Sequence, residues 1–287
     1  MAEAVRLSPT AQAGSAPAVG PERRLRRRTG WGRRFLRVEL GVLLAFLYLP
    51  ILVVVALSFN KSGQPTAWGG FSLTWYESVL ANAPLLKAFG NTLIVGVATT
   101  IVATVIGTLL ALGLERAVRS SLLDAFVYVP MIIPDIVFAI ALLSFYNLVF
   151  TGLLKLNLGL WSVILSHATF DIAFVAIVVR TRLKHFDRSI EEASLDLGAN
   201  PLRTFWHITL PAIGPGIVAG GLIAFTLSFD EFIIAFFTKG TTETFPTQVY
   251  SMIRFGVTPE VNVIATVVLF LSITLVLASQ RLRGGLE

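Results

Sequence analysis

Four carboxylates stand inside long hydrophobic runs, at Asp135, Asp171, Asp230 and Glu231. At the centre of a membrane helix such a group costs about 2.5–3.5 kcal/mol on insertion scales, so each needs a partner, water or a passing ligand. The chemistry they offer is charge-assisted hydrogen bonding to a cation. Bond-making chemistry lacks its parts. The sequence holds no cysteine, three histidines without metal-ligand spacing, no Gly-x-Ser-x-Gly turn and no Gly-x-x-x-x-Gly-Lys-Ser/Thr phosphate loop. No catalytic residue, metal or cofactor is therefore expected, and an enzyme is the weakest reading.

Each acid has a plainer alternative. Asp135 follows Pro130 and Pro134, which disrupt helical hydrogen bonding; it either lines a cavity opened there or satisfies the donors the prolines release. Asp171 either faces a pathway or pairs with a polar group on a neighbouring helix. Asp230 and Glu231, adjacent on an expected helix, point about 100° apart, so one faces a pathway and the other a helix neighbour. Gly214, Gly216, Gly220 and Gly221 precede them and suit close helix packing. Trp161 and Tyr146, near the ends of their spans, either stack on a cation or anchor at the membrane interface.

The elements carrying these residues are membrane spans. Of the 287 residues 55% are hydrophobic and 14% charged, with a mean hydropathy of +0.76, beyond an ordinary soluble domain. The apolar residues form six blocks, about 38–59, 89–114, 123–150, 161–179, 208–237 and 261–279. Each approaches or exceeds the roughly 20 residues a bilayer requires. The first is too long for a signal peptide and is expected to stay in the mature protein. Six spans put both termini on one side. That side collects all but five of the 23 Lys and Arg residues, the exceptions being Lys61, Lys87, Lys155, Lys239 and Arg254. The positive-inside rule then places both termini in the cytoplasm. The net charge of +6 is a topology signal and needs no nucleic acid as partner. Residues 1–34 form a basic tail expected to be disordered, rich at its start in Ala, Pro, Gly and Ser. Residues 35–280 form the membrane domain and 281–287 a cytoplasmic C-terminus. The expected fold is an all-α membrane protein.

The loop between the fourth and fifth spans, 187–211, carries the most specific pattern. Ser189 and Glu192 have capping-box spacing, and Ile190, Ala193, Ser194 and Leu197 share one helix face. Gly198 suits the left-handed position that ends a helix, and Asn200-Pro201 reads as N-cap and first position of a second one. Leu202, Phe205 and Trp206 load that second helix with apolar surface expected to dock on a partner.

The run Glu192-Ala193-Ser194, three residues, Gly198, nine residues, then Ile208-Thr-Leu210-Pro211 resembles the EAA loop of ABC-importer permeases, with Ser194 where a second alanine is usual. Further segments are similar to the spermidine/putrescine branch of that family. They are Phe71-Ser-Leu-Thr-Trp75-Tyr76, Ala88-Phe-Gly-Asn91-Thr92, Ser228-Phe-Asp230-Glu231, and the stretch from Ser251-Met-Ile-Arg254 through Pro259-Glu260 to Asn262.

The resemblance implies a type I importer permease with six transmembrane helices. Its coupling helix, between helices 4 and 5, would seat in a cleft of a cytoplasmic ATPase. Glu192, Ala193, Ser194, Gly198, Phe205, Ile208, Leu210 and Pro211 would form that contact, with Glu192 and Gly198 central; taken alone, Glu192 could simply cap its helix. The implied partners are two ABC ATPase subunits, a second permease subunit, a periplasmic or lipoprotein solute-binding protein and the lipid of a bacterial inner membrane. The implied solute is a polyamine, whose ammonium groups Asp135, Asp171, Asp230 and Glu231 could meet. A permease of the same class for another small solute is the alternative. A secondary carrier would use the acids for ion coupling but leaves the loop unexplained.

Overall fold

The computed structural model describes residues 30–64, 67–117, 120–254, 256 and 258–284. The expected tail up to residue 29, Arg119 and the last three residues lie outside them. The chain divides into two units, residues 1–52 and 53–287. The first contributes most of α1 (Gly30–Ser58), an apolar helix containing Pro50.

The second unit is helical throughout its regular structure. It comprises α2 (Thr74–Ala81), α3 (Ala83–Arg116), α4 (Ser121–Ile132), α5 (Asp135–Tyr146), α6 (Leu160–Lys184), α7 (Ser189–Asp196), α8 (Pro201–Thr204), α9 (Leu210–Asp230), α10 (Ile233–Thr238), α11 (Phe245–Arg254) and α12 (Pro259–Gly284). π-helical turns follow α5 at Asn147–Leu153 and α8 at Phe205–Thr209. Among the described residues five helical stretches are long and apolar enough to cross a membrane: Arg34–Ser58, Ala83–Arg116, Asp135–Leu153, Leu160–Lys184 and Pro201–Asp230. Ser121–Ile132 and Pro259–Leu271 are shorter apolar helices.

α3, α6 and α9 pack against one another as the core of this unit. Lipid tails are as apolar as leucine, so contact between spans is driven by close fit, and small residues at the seam provide it. A Cβ on Gly107 of α3 would lie 2.8 Å from the Val175 side chain of α6, and one on Gly220 of α9 would lie 3.2 Å from the same valine. Val175 is thus clasped from both sides. Ala103, Val175, Ala176, Val179, Ile213 and Ala224 complete a fully buried apolar cluster around it. Gly216 and Gly221 also sit at close contacts, whereas Gly214 faces open space.

Two spans are broken. The expected third span is divided at Ile133–Pro134: the proline ring drives Ile133 into extended backbone (ψ 132°) and α5 starts afresh at Asp135. The fifth span ends at Asp230, Glu231 is extended (ψ 113°), and α10 begins two residues later. α10 packs on α5 and α6 through Ala139, Phe170 and Ile234. The two restarted helices therefore lie together.

The segments similar to polyamine permeases also brace the end of the unit opposite the 187–211 loop. Trp75 donates its indole N–H to the Asn60 carbonyl, and the Tyr76 and Ser58 hydroxyls are 2.9 Å apart. Asn91 donates to the Glu243 carbonyl, and Thr92 accepts from the Phe245 N–H.

Candidate functional site

The 187–211 loop is a helix-turn-helix built from local backbone chemistry. Gly198 has φ +86°; its N–H donates to the Leu195 carbonyl, and the Ala199 N–H to the Ser194 carbonyl. This crossed pair is the Schellman closure, available at low cost only to glycine at that position. Asn200 then caps the next helix, accepting from the Arg203 N–H at 2.7 Å, with Pro201 at its first position.

The capping box does not form. The Asp187 carboxylate, not Ser189, meets the start of α7, taking the Ser189 N–H at 3.0 Å. The Ser189 N–H and hydroxyl hold the Asp187 carboxyl below its ordinary range. Arg188 sits in helical backbone at the N-cap, which moves the helix start and leaves Glu192 without a capping partner. Glu192 is exposed, and among the described residues its carboxylate makes no hydrogen bond or ion pair within the chain.

Glu191 fixes the loop instead. It pairs with Arg116 at the end of α3, 2.5 Å away, and accepts from the Thr209 hydroxyl. Arg188 reaches the Glu115 carbonyl at 3.1 Å, and Arg180 of α6 grips Asp124 of α4 through two bonds of 2.7 and 3.1 Å while holding Glu115 at 3.0 Å. Ser194, the departure from alanine, lies 3.0 Å from the Thr204 hydroxyl and links the two halves of the loop.

The second loop helix is not separate from the fifth span. α8 runs through the π turn into α9, giving one helical rod from Pro201 to Asp230. Pro211 has no N–H to give the preceding turn, and the Leu210 N–H reaches back five residues to the Phe205 carbonyl, the spacing of a π turn. Phe205 is half-buried beside Trp206, their rings 5.8 Å apart. Ile190, Ala193, Ser194, Leu197, Gly198 and Ile208 line an open groove. Around it Leu197 is 89% exposed, Leu202 67% and Trp206 57%.

Three of the four acids, Asp135, Asp230 and Glu231, stand at the two helix breaks. Asp135 opens α5, and its carboxylate has no hydrogen bond among the described residues. Glu231 accepts from the Ile234 N–H at 3.0 Å and so caps α10; because it has left the helix, the 100° separation from Asp230 expected of neighbours no longer applies. Asp230 is exposed. Glu231 lies within electrostatic reach of Asp135 and Asp230, and Asp171 of Glu231 and Asp230, so the four form one field. Asp171 is buried on α6 with its Oδ2 lacking a partner among the described residues.

One residue of this region has only a faint signal in the sequence. His167 is one turn before Asp171 on α6, 2% exposed, with Nδ1 2.8 Å from the Ser228 hydroxyl of α9 and Nε2 without a partner among the described residues. The four-residue spacing from Asp171 is the pattern that could have marked it.

Tyr146 and Trp161 sit in a ring cluster with Phe150. Tyr146 is 5.6 Å from Phe150 and 5.8 Å from Trp161, and accepts from the Ser166 hydroxyl, while the Trp161 N–H donates to Asn157. Tyr146 is buried and Trp161 half-buried, their rings tilted to each other by 51°.

Residues 103–284 match the family described as binding-protein-dependent transport system inner membrane component. The chain is 40% identical over 233 residues to the putrescine transport system permease protein PotI of Escherichia coli (strain K12), covering 78% of this chain and 82% of that protein. It is 40% identical over 239 residues to the spermidine/putrescine transport system permease protein PotC of the same strain, covering 82% and 89%. The corresponding PotC of Haemophilus influenzae is 36% identical over 86% of this chain and 96% of its own. Among solved structures, a bacterial ABC transporter involved in importing the acidic polysaccharide alginate superposes with a TM-score of 0.64 at 16% identity, over 88% of this chain and 96% of that one. The methionine ABC transporter MetNI, in an inward-facing conformation, gives 0.56 at 19% identity, over 76% and 100%.

Proposed function

The chain belongs to the family of binding-protein-dependent transport system inner membrane components, and we propose that it is the membrane subunit through which an ATP-driven importer passes polyamines such as putrescine or spermidine. The observation that carries this reading is mechanical. One helical rod, Pro201–Asp230, bears an exposed apolar docking surface at its start and the acid-lined break at its end. At about 1.5 Å per residue it spans roughly 45 Å, so tilting its base moves its tip.

Two cytoplasmic ATPases, a second permease chain and a solute-binding protein complete the transporter. Glu192, Ala193, Ser194, Gly198, Phe205, Ile208, Leu210 and Pro211 form the ATPase contact. The free Glu192 carboxylate and the exposed Leu197, Leu202 and Trp206 support it, because a surface of this kind is costly unless covered. The six apolar blocks support six spans, and the distribution of Lys and Arg supports cytoplasmic termini at both ends.

Polyamines fit the acids by chemistry. Asp135, Asp171, Asp230 and Glu231 share one field, yet no three His, Asp or Glu side chains among the described residues converge as a metal ion would require. Acids spread along a path match ammonium groups spread along a flexible chain. Tyr146, buried against Phe150 and Trp161, is closed to stacking on a cation, whereas half-buried Trp161 serves as an interfacial anchor or a stacking face.

The test is reconstitution of the complete complex in liposomes, with labelled putrescine inside the binding protein. ATP-dependent accumulation is the expected result. Putrescine uptake by this chain alone, without ATP or an ATPase, would sink the importer reading.

A further inference from the structure

The acid field ends against α6, where His167, beside Asp171, has no part in the resemblance. His167 and Asp171 lie four residues apart on α6 and so share a face. Both are almost fully buried, at 2% and 1% exposure, and each presents one atom without a hydrogen-bond partner among the described residues, Nε2 and Oδ2. Unpartnered buried polar atoms are rare and costly, and two on one helix face, one of them a carboxylate, point to a missing third group. The other unpartnered atoms, the Thr104 and Thr108 hydroxyls of α3, are neutral.

We propose that His167 and Asp171 form an ammonium-binding station at the inner end of the solute path, with Ser228 setting the histidine so that its Nε2 accepts. This rests on the importer reading above. The 2.8 Å contact between Nδ1 and the Ser228 hydroxyl admits either direction; in the tautomer the station uses, Nδ1–H donates to that hydroxyl and Nε2 carries a lone pair. A primary ammonium then gives one N–H to that lone pair and one to Asp171 Oδ2, its charge balanced by the carboxylate. Asp230 and Glu231, within electrostatic reach of Asp171, hold the next ammonium of the same solute. One turn further along α6, Val175 is clasped by Gly107 and Gly220 within the apolar cluster. That dry seal stops a cation at the station until the helices part. His167 is thus a specificity-determining residue that favours ammonium groups with at least two N–H bonds, which can donate to both acceptors at once, over quaternary ammonium, which cannot.

The experiment uses the complete complex in liposomes with putrescine as the probe, and reads putrescine taken up per ATP hydrolysed. His167→Phe keeps the ring volume and removes both nitrogens; the ratio should fall about tenfold while ATP hydrolysis persists. His167→Gln, whose Oε1 reaches the place of Nε2, should stay within about twofold of wild type. A wild-type ratio in His167→Phe overturns the proposal. So does an equal fall in His167→Gln, or a parallel loss of uptake and hydrolysis in both variants, which is what a packing role would give. Should His167→Phe fail to assemble, Ser228→Ala decides: it frees the imidazole, and an unchanged ratio overturns the station. Failure of the wild-type complex to import putrescine at all would instead strike the importer reading.

Discussion

The 187–211 loop and the acid-lined breaks are unsatisfied in opposite senses. In the loop the turn between the helices is closed locally, by the Gly198 closure and the Asn200 cap, and what remains open is outside: Glu192, Leu197, Leu202 and Trp206. Beside the breaks what remains open among the described residues is buried: the His167 Nε2 and Asp171 Oδ2 atoms of α6. A surface left incomplete calls for a macromolecule, whereas an interior left incomplete calls for something small enough to enter. One helix, Pro201–Asp230, joins the two.

The largest expected effect breaks the loop side alone. Gly198→Pro cannot adopt φ +86° and deletes the N–H given to Leu195, so the turn cannot close. ATP-driven uptake should be abolished while membrane insertion persists, and Glu192→Arg should do the same by charge reversal at the ATPase. Normal uptake in both variants would remove the docking role.

Breaking the other side should cost less and leave assembly intact. Asp171→Asn or Glu231→Gln should lower putrescine uptake about tenfold, as loss of one charge-assisted bond implies, with ATPase co-purification unchanged. Uptake equal to wild type in both would return those carboxylates to packing. A change between the regions tests the rod. Gly220→Leu forces α9 away from Val175, where even a Cβ has only 3.2 Å. Overpacking of this kind typically costs about 1–3 kcal/mol, read as a lower thermal midpoint in detergent together with weaker uptake. The smallest effect is that of Ser194→Ala, which removes one hydroxyl bond to Thr204. It should leave uptake within about twofold, since a neutral hydrogen bond contributes only about 1 kcal/mol. A severe defect would mean that the serine touches the ATPase directly.

The loop was largely legible in the sequence because its determinants are local. A glycine at the left-handed position, an Asn-Pro start and an apolar face are each fixed within a few residues. The errors there were also local. The capping role passed from Ser189 to Asp187, and α8 ran on into α9 because a π turn absorbs Pro211 instead of ending the helix. At the breaks, Pro134 announced a disruption, but nothing near Asp230 announced that the fifth helix stops there and that Glu231 turns to cap α10. His167 carried only its spacing to Asp171.

By itself the sequence determined the apolar helical character, the charge asymmetry and the helix-turn-helix, since hydropathy, positive charge and turn chemistry act through near neighbours along the chain. Tertiary structure alone decided which polar atoms are left without partners. Ser228 is 61 residues from His167, and whether a buried nitrogen or oxygen is satisfied depends on what the opposing helix brings to it, a distance that chain order does not encode.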